Sequence, residues 1–227
     1  IVKVEQESSS LGGAGNVVSN LKALGADVDV ISVIGDCNVS IELQNLLTNI
    51  NVDTSQLITQ SGRLASKKNR IISSHQQVVR FDQESIDEIS DESQQKILKQ
   101  FITVIENYEI ILFSDYGKGL FTKDLSQSLI KYAKNHNKKV LIDPKGMDYS
   151  KYQGAYLLTP NKKEASEATK IDIHDDATLM RAIKQLKLDC NLSISLITLS
   201  ESGIGIYDDN LRIHPTYTRE IFDVTGA

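Results

Sequence analysis

Four stretches of this chain place carboxylates, lysines and small residues directly after a short apolar run. Residues 110–114 lead into Asp115-Tyr-Gly-Lys118-Gly119, and residues 140–142 into Asp143-Pro-Lys145-Gly146. Residues 156–158 lead into Thr159-Pro-Asn161, and residues 193–199, which include Thr198, into Ser200-Glu-Ser-Gly203. Lysines neutralise phosphate charge and carboxylates hold a hydrated divalent cation, so these are materials for a phosphate and metal site. Taken singly, each segment reads equally well as turn chemistry, because Asp and Gly are common turn residues. A second set of donors lies at 67–80, where Lys67, Lys68, Arg70, Gln76, Gln77 and Arg80 fall on two short β-rich runs. They suit an anionic ligand, or serve as the charges that protect an exposed strand edge. Gly12-Gly13-Ala-Gly-Asn16 can bring backbone amides close to a ligand. It is neither G-x-G-x-x-G nor a P-loop, which leaves a dinucleotide fold and a Walker-type NTPase unsupported. Asp223-Val-Thr225-Gly226-Ala227 is a small-residue turn; a helix opening just past it would aim free amides at an anion, whereas a simple tail would do nothing.

Elements that could carry these residues follow from periodicity. The glycine turn precedes a helix with Val17, Val18, Leu21 and Leu24 at helical spacing and Gly25 at its C-cap. A buried strand over 28–34 and a helix over 39–50 come next. The spacing then predicts a β hairpin, or flap, at 67–73 and 76–82, inside a segment 57–82 that lacks helical periodicity. Helices are expected at 90–107, 123–135, 162–169 and 175–188, and strands at 110–114, 140–142, 156–158, 193–199, 204–207, 211–214 and 220–224. This order predicts a single doubly wound α/β domain over 1–227, with a mostly parallel sheet and a small β appendage. In such sheets ligands collect beyond the carboxyl ends of the strands, where the four polar segments fall.

Composition excludes other classes. Apolar residues at 40% and charged residues at 24% of 227 are those of a soluble globular chain, not of a disordered tail, a fibre or a membrane bundle. A net charge of -5 gives nucleic acid or an anionic membrane no general attraction, so an anionic ligand needs a local basic site. Cys37 and Cys190 lie far apart, and His75, His136, His174 and His214 have no metal-ligand spacing, which argues against zinc and against a disulfide scaffold. A reducing cytoplasm fits best.

Taken together, the motifs resemble the ribokinase-type (PfkB) family of sugar kinases. Leu11-Gly-Gly-Ala-Gly-Asn16 resembles its N-terminal glycine motif, Thr159-Pro-Asn-Lys162-Lys163-Glu164 its N-x-x-E motif, and Phe222-Asp-Val-Thr-Gly-Ala227 the start of its D-x-T-G-A-G-D signature. Ser114-Asp-Tyr-Gly-Lys-Gly119, Ile142-Asp-Pro-Lys-Gly146, Leu157-Leu-Thr-Pro160 and Gln76-Gln-Val-Val-Arg80 are similar to the heptose-phosphate kinase branch of lipopolysaccharide-core synthesis, in many bacteria the first half of a bifunctional protein with an adenylyltransferase.

The resemblance implies a ribokinase-like fold and ATP- and Mg²⁺-dependent phosphorylation of C1 of D-glycero-β-D-manno-heptose 7-phosphate, giving the 1,7-bisphosphate. Another sugar or nucleoside kinase and a non-catalytic sugar-binding module are its competitors. Gly12, Gly13, Asn16, Lys68, Arg70, Gln77, Arg80, Asp115 and Lys118 then fall to the sugar. Asn161, Lys162, Lys163, Glu164, Thr198, Ser200, Gly203, Asp223 and Thr225 fall to the nucleotide, with Glu164 reaching Mg²⁺ through water. Lys145 would lie near the transferring phosphoryl group, and Gly226 and Ala227 would form an anion hole. The family's base Asp is expected two positions past Ala227 and a further sugar-binding Asp before Ile1, so the sequence as written is expected to be a weak or inactive kinase. Relatives also suggest a homodimer formed through the flap.

Overall fold

The computed structural model describes residues 3–73 and 76–216, and these divide into one compact unit up to Ser85 and a second from Ile86 onward. In the first unit, helix α1 (Ala14–Ala23) starts at Gly13, whose φ of 53° only glycine adopts without strain. The helix's C-cap is Leu24, one residue before the Gly25 expected; Gly25, in the left-handed region, and Ala26 follow it and donate to the carbonyls of Lys22 and Leu21. Strand β1 (Ser32–Ile34) pairs in parallel with β2 (Leu57–Thr59), and α2 (Asn38–Asn49) connects them. Only three residues of the apolar run 28–34 form a strand, because β2 offers only three partners. Val28 and Val30 pack instead against the core of Val18, Leu47 and Val52.

The flap is an antiparallel hairpin, β3 (Lys67–Ser73) with β4 (Gln76–Gln83). Its register sets Arg70 opposite Arg80 and Lys68 opposite Asp82, so these four share one face. A bulge after Ile71 leaves Val78 as the extra residue and sets Gln77 opposite Ile72. Since a one-residue slip reverses the faces of a strand, the bulge carries Gln77 onto the face of Arg70 and Arg80.

The second unit is a six-stranded sheet in the order β10-β9-β8-β7-β6-β5. Helix α3 (Asp91–Val104), capped by Ser90, precedes β5 (Ile110–Ser114), and α4 (Lys123–Asn135), capped by Thr122, connects it to β6 (Lys139–Asp143). Strand β7 (Leu157–Leu158), helices α5 (Lys162–Thr169) and α6 (Asp176–Asp189), and β8 (Ile194–Thr198) follow. Strands β5 to β8 run parallel, while β9 (Ile204–Tyr207) and β10 (Leu211–His214) close the sheet antiparallel. The core holds Ile105, Ile142, Leu158, Ile183 and Ile197 with at most 1% of their surface exposed. Burial of each contributes about 1.5–3 kcal/mol. The predicted strand at 220–224 lies outside the described residues.

Candidate active site

Because β5 to β8 are parallel, their carboxyl ends line one edge of the second unit, and the four polar segments lie along it. Backbone bonds join the segments: Asp115 N–H donates to the Asp143 carbonyl at 3.0 Å and Thr198 N–H to the Pro160 carbonyl at 3.0 Å. Thr198 also bridges to Asn161. Asp115 is buried, and both oxygens of its carboxylate accept hydrogen bonds. One oxygen accepts from Gly117 N–H at 2.7 Å, and the other from Lys151 Nζ at 2.6 Å and Tyr152 Oη at 2.6 Å.

Lys145 stands above this cluster with about half its side chain exposed and reaches Glu164 Oε1 at 2.8 Å. That hydrogen bond raises the Lys145 pKa, so the side chain stays an ammonium. Glu164 is fixed in turn by a capping box: Asn161 N–H donates to its carboxylate at 3.1 Å, and its own N–H donates to Asn161 Oδ1 at 2.9 Å. Asp143 is pushed up from the ordinary carboxylate range by burial first and by the charge of Glu164 second. Three carboxylates, Asp115, Asp143 and Glu164, thus act on one another along this part of the rim, with the Lys145 ammonium offsetting part of their charge.

Lys162 and Lys163 are exposed in the first turn of α5, with Lys163 3.8 Å from Glu167. Beyond β8, Ser200 is exposed, and Gly203 closes the turn by accepting from Leu199 N–H at 2.8 Å. A Cβ on Gly203, whose φ is +96°, would stand 1.9 Å from the His214 carbonyl oxygen, so no larger residue fits.

Among the described residues, no group of three or more His, Cys, Asp or Glu could hold a metal ion. Glu164 already binds Lys145 and Asn161. This donor set fits a hydrated Mg²⁺ met through water, with phosphates completing the shell, and does not fit a caged ion.

In the first unit, Gly12 and Gly13 open α1 beside Asn16, and none of the described residues lies within 4 Å of where a Gly12 Cβ would be. Lys68, Arg70, Gln77 and Arg80 are all exposed on one hairpin face. Arg80 grips Asp82 through Nε at 2.9 Å and Nη2 at 2.5 Å. Three cations against one carboxylate leave this face net positive. Asp223, Thr225, Gly226 and Ala227 lie outside the described residues.

The whole chain, residues 1–227, matches the pfkB family carbohydrate kinase profile. It belongs to that family. Known pfkB-family relatives include the bifunctional protein HldE of Aliarcobacter butzleri, 57% identical over 227 residues, and that of Sulfurimonas denitrificans, 52% identical over 227 residues. Each alignment takes in 100% of this chain and 48% of the relative, so the chain spans about half the length of these proteins. The fold matches Arabidopsis thaliana ribokinase complexed with ribose and ATP, with a TM-score of 0.76, 14% identity, and 100% of this chain and 73% of that one covered. Escherichia coli phosphofructokinase-2 in complex with fructose-6-phosphate gives a TM-score of 0.71 at 18% identity, covering 93% and 70%. The α/β fold with a mostly parallel sheet is thus that of pfkB kinases.

The structure sets Asp115, Asp143, Lys145, Asn161, Glu164 and Thr198, all named from the sequence, along one edge of the second unit, whereas Lys151, Tyr152 and Asp82 were overlooked. Asp82 was open to discovery, since strict alternation sets it on the face of Arg80. Lys151 and Tyr152 sit in a 3₁₀ turn inside a polar stretch, and no periodicity marks them.

Proposed function

We propose that this chain is the kinase portion of a heptose-phosphate kinase. It transfers the γ-phosphoryl group of ATP to the C1 hydroxyl of D-glycero-β-D-manno-heptose 7-phosphate. The observation that carries this reading is 57% identity across the entire chain with the bifunctional protein HldE of Aliarcobacter butzleri. The positive hairpin face supports it, because an acidic sugar needs cations that an unphosphorylated sugar does not.

In this reading the first unit binds the sugar: Gly12, Gly13 and Asn16 meet its hydroxyls, and Lys68, Arg70, Gln77 and Arg80 meet the 7-phosphate. The rim of the second unit serves the nucleotide. Lys145 Nζ sets positive charge beside the phosphoryl group, and the amides of Lys162 and Lys163 face out of the first turn of α5, where an anion is favoured. Ser200 and Gly203 shape the nucleotide's seat, and Glu164 with Asp143 nearby would hold a hydrated Mg²⁺. The ion's chemistry there is to offset triphosphate charge as it builds on the leaving oxygen. Phosphoryl transfer depends chiefly on positioning and charge stabilisation, so donors spread over several loops are what the reaction needs.

The same reading includes a fused adenylyltransferase, a cytoplasmic location and a homodimer through the hairpin. Exposed Ile72, Val78, Val79 and Phe81 support the dimer, and light scattering that finds monomer alone at micromolar concentration would refute it. No helix among the described residues is long and apolar enough to cross a membrane. The test of the kinase reading is ADP release by the full-length protein with heptose 7-phosphate. Turnover no greater than background would reject it, and turnover with fructose 6-phosphate or ribose instead would transfer the chain to another branch of the family.

A further inference from the structure

We propose that Tyr152 is a positioning residue for phosphoryl transfer, its hydroxyl tying the backbone of Lys145 to the carboxylate of Asp115. The proposal rests on the kinase reading above. Tyr152 is 0% exposed, so water reaches neither its ring nor its hydroxyl. A phenolic hydroxyl has one hydrogen to give. The Asp115 carboxylate at 2.6 Å takes it in preference to the Lys145 carbonyl at 3.5 Å, because a charged acceptor at short range makes the stronger bond. The oxygen is then left to accept Lys145 N–H at 3.2 Å.

Both bonds run to loops at the rim, one after β5 and one after β6, and not into the core that the ring fills. The anchor itself is rigid. Lys151 Nζ holds the same Asp115 oxygen at 2.6 Å and caps the Phe121 carbonyl at 3.3 Å, while Gly117 N–H holds the other oxygen. Gly117 leaves room for the lysine, since a Cβ there would come within 3.3 Å of Lys145 Cγ. A continuous path of hydrogen bonds therefore runs from Gly117 through Asp115, Tyr152 and Lys145 to Glu164 and Asn161. A tyrosine that only filled the core would need no hydroxyl, and phenylalanine would replace it without consequence.

Tyr152→Phe keeps the ring and cuts both bonds. Misplacing a catalytic group by about 1 Å costs on the order of 100-fold. The full-length Tyr152→Phe protein should therefore lose roughly 10- to 100-fold in kcat, with KM for ATP and for heptose 7-phosphate changed by less than about 3-fold. In a Lys145→Ala background the same substitution should change kcat by less than about 2-fold, because the lysine it positions is gone. Equal losses in both backgrounds, or wild-type kcat in the single variant, would overturn the proposal.

Amide exchange supplies a readout independent of substrate: the Lys145 N–H should be strongly protected in the wild-type protein and lose that protection in Tyr152→Phe. If the variant does not fold, the wild-type protein decides, and exchange of the Lys145 amide as fast as an open loop would overturn the proposal. Absence of turnover in the wild-type protein defeats the kinase reading instead, and the exchange result still judges the hydroxyl's role.

Discussion

Replacing Asp115 by alanine should cost the protein about 3 kcal/mol of stability, and the structure gives each part of that figure. Its carboxylate is 2% exposed and accepts from an ammonium, a phenolic hydroxyl and a backbone amide. Breaking a buried ion pair by removing one partner costs about 3–5 kcal/mol, because the remaining charge is left in a poorly solvated place. Here that charge is Lys151, whose side chain is 21% exposed and can turn toward water, which favours the lower end. Tyr152 has no such escape. For a chain of this size about 1 kcal/mol moves Tm by roughly 2–4 °C, so calorimetry should show a fall of about 6–12 °C. Removing the stranded ammonium as well, in Asp115→Ala/Lys151→Met, should lower Tm by less than the sum of the two single changes, since the second substitution takes away a charge the first left unpaired. A fall under about 2 °C in Asp115→Ala, or strict additivity in the double variant, would refute the reasoning.

Other perturbations separate the parts of the site. Arg70→Ala and Arg80→Ala should each raise KM for heptose 7-phosphate several-fold and leave an unphosphorylated heptose almost unaffected, whereas Asp82→Asn, which releases Arg80 from its carboxylate, should lower that KM; steady-state kinetics at fixed salt checks the signs. Cys37 has its thiol pKa lowered to about 7, chiefly by the Ala65 backbone N–H and then by Ser40, while burial pushes Cys190 up to about 12. Alkylation followed by mass spectrometry should therefore modify Cys37 with a midpoint at about pH 7 and spare Cys190; a Cys37 midpoint near the ordinary 9.0 would contradict the assignment. Gly117→Ala should destabilise by about 1–2 kcal/mol, because φ is +66° there, and should lower kcat by pushing on Lys145 Cγ; denaturant melts and turnover measure the two effects.

Much of this fold could be read before any coordinates, and the reasons differ by element. Strand β5 and helices α4 and α5 have the boundaries expected, because each joins an unbroken periodic run to a clear stop: Ser114 before Asp115, Thr122 as cap, and the Asn161–Glu164 capping box. Strand β1 came out short because its length depends on a partner strand, and pairing is not a local property. The hairpin was foreseen, but its bulge was not. Val78 resembles any other β residue, yet it decides which face Gln77 occupies. Candidate site residues were legible where glycine, proline and capping chemistry mark them. Lys151 and Tyr152 act through distances of 36 and 37 residues to Asp115, and no local signal in a single sequence encodes such a contact.

The division of labour along the rim follows from how many bonds each side chain has left to make. A carboxylate that is 2% exposed with both oxygens already accepting cannot meet a substrate without surrendering about 1.5–3 kcal/mol for each charged hydrogen bond it gives up. As it stands Asp115 braces the loops, and the sugar-binding role expected of it would have to draw on a bond it already makes. Lys145 is the reverse case: its side chain is 52% exposed and, among the described residues, its ammonium bonds to Glu164 alone, itself 15% exposed at the side chain. Exchanging that single partner for a phosphoryl oxygen costs little, because one anion replaces another around the same charge. On the kinase reading, a buried brace beneath a half-exposed lysine would give that lysine both a fixed base and a free end, with Tyr152 as the joint where those two requirements meet.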